Sequence, residues 1–137
     1  MHNRILVVDR SVREGTALGG FLSALGYVVV VETDARLAMD AARRHVPDVV
    51  ILDLELSNAD DIDLVEWIRA DERLAGARVF ATGRPSGLSS RVSAHAGVAD
   101  RGVGFERFFP KPVSLLNLVE ALRAVVRHAD SPALRSW

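Results

Sequence analysis

The chain has 137 residues, 49% of them apolar, which suits a single domain with a full core. Its net charge of −1 gives no general attraction to nucleic acid or to an anionic membrane, and with no cysteine it has neither disulfides nor thiolate-held metals. The opening MHNRILVVDR meets charge too soon for a signal peptide, and no apolar run is long enough to span a membrane, so a soluble cytoplasmic domain is expected.

From the amino end, Ile5 to Val8 is a continuous apolar run that predicts a buried strand. Ser11-Val12-Arg13-Glu14 carries the spacing of a capping box and predicts a helix ending near Gly26. Val28 to Val31, rich in β-branched residues, predicts a second strand. Asp34 caps a helix through about His45, which Pro47 terminates. Val49 to Leu52 has no polar interruption and predicts a strand covered on both faces. Asp61 to Ala70 fits a third helix with Leu64, Val65 and Ile68 on one side, and Trp67 is read as packing. Val79 to Ala81 and Phe108-Phe109 predict two more short strands.

Ser114 then caps the clearest amphipathic helix. Leu115, Leu118, Val119, Leu122, Val125 and Val126 fall at i, i+3, i+4 spacing. Between Gly83 and Gly104 the helical pattern is weak and glycine frequent, so this is expected to be the least ordered part, with one short helix around Leu88 to Ala96. A domain over residues 1–128 and a flexible tail over 129–137 follow, and the short tail leads us to expect a stand-alone domain acting through protein contacts.

Alternating strands and helices imply an α/β fold with a parallel sheet and helices on both faces. Right-handed crossovers favour a five-stranded, flavodoxin-like order, 2-1-3-4-5. In such sheets ligands bind beyond the carboxyl ends of the strands, where the order reverses between the first and third. Asp9 and Asp53 close those two strands. Among the 17 basic residues one alone is lysine, Lys111, held between prolines in FFPKPV. A compact ammonium is therefore expected to matter there, because lysine and arginine differ as donors. Two carboxylates and one ammonium meeting at a sheet edge suit a phosphoryl-accepting aspartate.

These residues resemble the receiver domain of two-component response regulators over roughly residues 3 to 127. The matches are Asp9 in VVDR, Asp53 in ILDLEL, Thr82 in FATG and Lys111 in FFPKP. The resemblance implies that Asp53 is the nucleophile that takes a phosphoryl group from a histidine kinase or phosphotransfer protein. Thr82 and Lys111 would each contact a phosphoryl oxygen, and Lys111-Pro112 would be cis. Thr82 and Phe108 would be the switch pair, and the metal site would use Asp9, Asp53 and the Glu55 carbonyl to hold Mg²⁺. An unknown downstream protein would read the altered face. No enzymatic activity, direct nucleic-acid contact or membrane contact is implied. The face built on the family's fourth helix, fifth strand and fifth helix is a candidate homodimer surface.

The departures from the family pattern cluster at the site. Arg10 stands where a second acid is usual; having no acceptor atom, it cannot ligate metal. Mg²⁺ binding is therefore expected to be weak or absent. A swing of the Glu55 side chain into the site would supply a replacement acid. Ser57 and Asp61 replace a usual proline and glycine, and the stretch from Thr82 to Lys111 is longer than usual.

Three readings follow. The first is a phosphoacceptor at Asp53. The second is a pseudo-receiver in which Arg10 holds Asp53 in a permanent salt bridge and partners bind without phosphate. A nucleotide or flavin binder is disfavoured, because DRSVREG lacks a glycine-rich phosphate loop. His2, His45, His95 and His128 have no ligand spacing, and Arg43-Arg44 reads as a solvated helix face.

Overall fold

The computed structural model describes residues 3–55, 60–84 and 105–129. The strands are β1 (Arg4–Val8), β2 (Val28–Glu32), β3 (Val49–Asp53), β4 (Arg78–Gly83) and β5 (Arg107–Pro110). The helices are α1 (Val12–Ala24), α2 (Ala35–His45), α3 (Asp60–Ala70) and, after β5, α4 (Leu115–Ala129). The five strands form one parallel sheet in the order β2-β1-β3-β4-β5, as the sequence predicts. The helix expected at Leu88 to Ala96, the weak order expected through Gly104, Ser57, and the tail from residue 130 onward lie outside the described residues.

Side-chain alternation along the strands divides the core in two. Leu6, Val8, Val50, Leu52, Val79 and Ala81 face α2 and α3, where Ala38, Ala41, Ala42, Leu64, Val65 and Ile68 are buried against them. Ile5, Val7, Val49, Ile51, Phe80 and Phe109 face the other way, toward Leu22 of α1 and Leu118, Leu122 and Val125 of α4. β3 is buried at all five positions, which explains its uninterrupted apolar sequence. Trp67 corrects the packing expectation, since it lies on the outer side of α3 and is 43% exposed.

The caps fall where the sequence puts them. Ser11 Oγ accepts the Glu14 N–H at 3.1 Å, Asp34 Oδ1 the Leu37 N–H at 2.9 Å and Ser114 Oγ the Asn117 N–H at 3.2 Å. α2 ends in a left-handed residue, Val46 (φ 46°), just before Pro47. A β-branched residue is strained there, so surrounding packing must hold it.

α1 lies unusually close to β2. A Cβ at Gly19 would sit 2.7 Å from Val31 Cγ2, and one at Gly15 would sit 3.1 Å from Val31 Cγ1. These two glycines, one helical turn apart, let the helix backbone press onto the strand. On its other side, toward the β5–α4 loop, is a cavity of about 620 Å³. Leu18 and Phe21 of α1 and Val113 of the loop wall it, and Asp9, Glu14 and Lys111 line it too.

Candidate functional site

The carboxyl ends of β1, β3 and β4 bring the expected residues together. β3 and β4 pair with Asp53 opposite Thr82, so carboxylate and hydroxyl project side by side from the same face. Asp9 follows β1 directly, tied down by its N–H to the Glu32 carbonyl at 3.0 Å. Lys111 follows β5, its N–H donating to the Gly83 carbonyl at 2.8 Å. The Lys111-Pro112 peptide is cis.

Asp9 and Asp53 are 5% and 3% exposed, and Thr82 is also buried. Each carboxylate is used on both oxygens. Asp9 Oδ1 accepts the Ser11 N–H at 2.8 Å and Asp53 Oδ1 accepts the Glu55 N–H at 3.0 Å. Their Oδ2 atoms lie 3.2 and 3.4 Å from Lys111 Nζ. Burial pushes the Asp9 carboxyl above its ordinary 3.8; the Ser11 N–H and the Lys111 ammonium pull against this, while the charge of Asp53 adds to it. Lys111 is raised above 10.5: burial alone would lower it, but Glu14, Asp53 and Asp9 together outweigh burial.

Glu14 was missed by the sequence reading. Its Oε1 is 2.8 Å from Lys111 Nζ, the shortest of the three carboxylate contacts there. The capping box is only half made, because Ser11 gives its N–H to Asp9 and leaves the Glu14 carboxylate free to reach the ammonium. The signal was available. α1 begins three residues after Asp9, and helical side chains lean toward the amino end, so a first-turn acid overhangs this edge.

Two expectations about the pocket's charges are corrected. Arg10 is exposed, and among the described residues its guanidinium forms no ion pair; Asp53 is paired with Lys111 instead. The reach from Arg10 to a buried carboxylate would require desolvating a guanidinium that water already satisfies. Glu55 does not swing inward. Its Oε2 accepts the Arg84 N–H at 2.9 Å, with the Arg84 Nε 4.0 Å from Oε1, so a backbone donor on β4's end claims the carboxylate. Phe108 is half-buried against the α2–α3 side of the core, on the opposite face from the buried Phe109.

A family description, the response regulator receiver domain, matches residues 5–123. The chain belongs to that family. Its members act in two-component signalling. Response regulator MprA of Mycobacterium sp. strain KMS is 33% identical over 139 residues, covering 96% of this chain but 56% of its own length. The chain therefore spans about half the length of that relative. The polar-differentiation response regulator DivK of Brucella ovis is 24% identical over 94% of this chain and 100% of its own. Among solved structures, the chemotaxis protein CheY4 of Vibrio cholerae covers 91% of this chain and 99% of its own, with a TM-score of 0.77 at 22% identity. The receiver domain of a Luxo repressor protein from Vibrio parahaemolyticus covers 100% and 99%, with a TM-score of 0.79 at 20% identity. These structures share the receiver fold.

The donors here fit Mg²⁺ poorly. Asp9 and Asp53 keep lone pairs beyond their contacts to the Ser11 and Glu55 N–H groups and to Lys111, but Arg10 offers no acceptor where a second acid would supply one, and the Lys111 ammonium already faces both carboxylates. Among the described residues no group of three or more Asp, Glu, His or Cys side chains is arranged to hold a metal. None of the described helices is long and apolar enough to cross a membrane.

Proposed function

We propose that this receiver accepts a phosphoryl group on Asp53 from a histidine kinase or histidine phosphotransfer protein in the cytoplasm, and that a protein partner reads the result. The observation that carries the reading is the convergence of buried Asp53, its register partner Thr82 and the one lysine on a single sheet edge.

Asp53 Oδ1 is held by the Glu55 N–H, which leaves Oδ2, on the Lys111 side, as the attacking oxygen. It bonds to phosphorus as the donor's phosphorus–nitrogen bond breaks, and the imidazole keeps that electron pair and takes a proton from water. Charge developing on the phosphoryl oxygens is met by the Lys111 ammonium and by the Thr82 hydroxyl, preorganised in a nearly dry site. The switch would follow as Thr82 turns toward the phosphoryl group and Phe108 fills the space it leaves. No step is routed through a metal, and we expect Mg²⁺ to bind weakly. A homodimer would use the face built on the family's fourth helix, fifth strand and fifth helix.

The test is intact mass after incubation with a small phosphodonor, with and without Mg²⁺. The wild-type protein should gain one phosphoryl group and Asp53→Asn none; a gain that survives the substitution would move the site. The second reading, phosphate-independent binding, is favoured by Arg10 at an acid position, although the Arg10–Asp53 bridge it assumed is not formed. Equal partner affinity before and after phosphodonor treatment would select it.

A further inference from the structure

Three carboxylates compete for one ammonium, and the competitor that holds it closest is neither the acceptor nor its neighbouring strand-end acid. Glu14 Oε1 is 2.8 Å from Lys111 Nζ, Asp9 Oδ2 is 3.2 Å and Asp53 Oδ2 is 3.4 Å. The pair also spans two elements. Glu14 stands on the first turn of α1, and Lys111 leads into α4 across the mouth of the cavity between them. α1 also packs its own apolar side, with Leu22 in the core and Gly15 and Gly19 close to Val31, so the Glu14 contact is one of several ties between this helix and the rest of the fold.

We propose that Glu14 is a positioning residue for phosphoryl transfer: it holds Lys111 on the α1 side of the site until a phosphoryl group at Asp53 draws the ammonium away. This rests on the phosphoacceptor reading and adds a residue to it. As the bond from Asp53 to phosphorus forms and the donor's bond to phosphorus breaks, the phosphoryl oxygens present concentrated negative charge next to Nζ. The half-exposed Glu14, 57% accessible at its side chain, is the carboxylate that water can most easily take over. Lys111 leaves Glu14 and stays near Asp9 and Asp53. Phosphorylation thereby uncouples the first turn of α1 from the β5–α4 loop.

Because Lys111 is the only lysine, protein labelled with ¹⁵N-lysine gives a single side-chain ammonium resonance. The experiment follows that resonance and the rate of phosphorylation by a small acyl phosphate in wild type, Glu14→Gln and Glu14→Asp. The aspartate keeps the charge but is one methylene too short for the contact. Both variants should shift the unphosphorylated resonance and react roughly 1.5- to 5-fold faster, the range expected for removing one exposed ion pair. On phosphorylation all three proteins should converge on one resonance position. Backbone amide spectra confirm that each is folded. Wild-type behaviour of Glu14→Asp in both readouts would show that charge alone matters and would overturn the positioning role. So would unchanged rates in both variants. A wild-type protein that takes up no phosphoryl group would overturn the underlying reading as well, and the resonance shift, read without phosphate, separates that failure from absence of the contact.

Discussion

At the amino ends of the strands, charged groups are satisfied near water by backbone groups and by an ion pair. The Arg4 N–H donates to Asp48 Oδ2 at 2.9 Å while its guanidinium donates to the His45 carbonyl at 2.9 Å, and Arg78 pairs with Glu106 at 3.0 Å. At the carboxyl ends, two buried acids and a half-exposed one converge on one ammonium. The residue types are alike, but the accounting differs. The first edge leaves little charge uncompensated and closes the sheet; the second keeps two buried carboxylates on one ammonium, which costs stability but leaves Asp53 placed to attack phosphorus with Lys111 beside it to meet the phosphoryl charge. The opposite edges of one sheet thus separate holding the fold from the chemistry proposed for it.

The sharpest way to break this contrast is at Lys111. Lys111→Arg keeps the charge but places a larger, planar group between two prolines, where the compact ammonium now reaches three carboxylates. Phosphoryl transfer should fall by about tenfold or more, one step of roughly 1.4 kcal/mol in the barrier, with circular dichroism unchanged. Equal transfer would mean that charge without shape suffices. Next in size is Arg10→Asp, which adds an acceptor beside Asp9. Isothermal titration should then detect Mg²⁺ binding tighter by about tenfold or more; tight Mg²⁺ binding to the unaltered protein would contradict the poor fit of the donors.

Asp9→Asn probes the stability cost of the carboxyl edge. The Asp9 carboxyl is raised above 3.8 in the folded state, so the fold binds its proton more tightly than the unfolded chain does. Its charge therefore weakens the fold above the raised value, and the cost fades as pH falls toward 3.8. The asparagine can still accept the Ser11 N–H, so at pH 7 the variant should be more stable by roughly 0.5–2 kcal/mol in urea unfolding. That gain should shrink in acid, and a gain that does not change with pH would point to packing instead. At the amino edge the expected effect is smallest. Glu106→Gln, in a pair more than a third exposed on both sides, should cost no more than about 0.5 kcal/mol and leave phosphorylation untouched. A larger loss would undo the contrast between the edges.

Much of this was legible because each signal was local. Short apolar runs marked the strands, and Ser11, Asp34 and Ser114 marked the helix starts. Strand order then followed from handedness, and strand ends put Asp9, Asp53, Thr82 and Lys111 together. What was not legible depended on competition between partners. Glu14's place above this edge was readable from the start of α1, but its partner was not: it matched a capping box, and only the structure reveals that Asp9 takes the Ser11 N–H and leaves Glu14 to the lysine. Glu55 looked free to enter the site until the Arg84 N–H claimed it. Arg10 looked able to reach Asp53, but side-chain direction at a loop bend carries no periodic signal, and it points to water. The close approach of α1 to β2 runs through Gly15 and Gly19, whose spacing is visible in the sequence but whose effect needs the position of Val31.

The carboxyl edge is tested most directly by mapping the phosphoryl group. After treatment with a small phosphodonor, the protein is digested with and without prior exposure to hydroxylamine, and the peptides are sequenced by mass spectrometry. The expected result is a phosphoryl group on the peptide bearing Asp53 and its loss in hydroxylamine, as an acyl phosphate requires. A hydroxylamine-resistant phosphate on Thr82 or any serine, or no phosphopeptide at all, would contradict it.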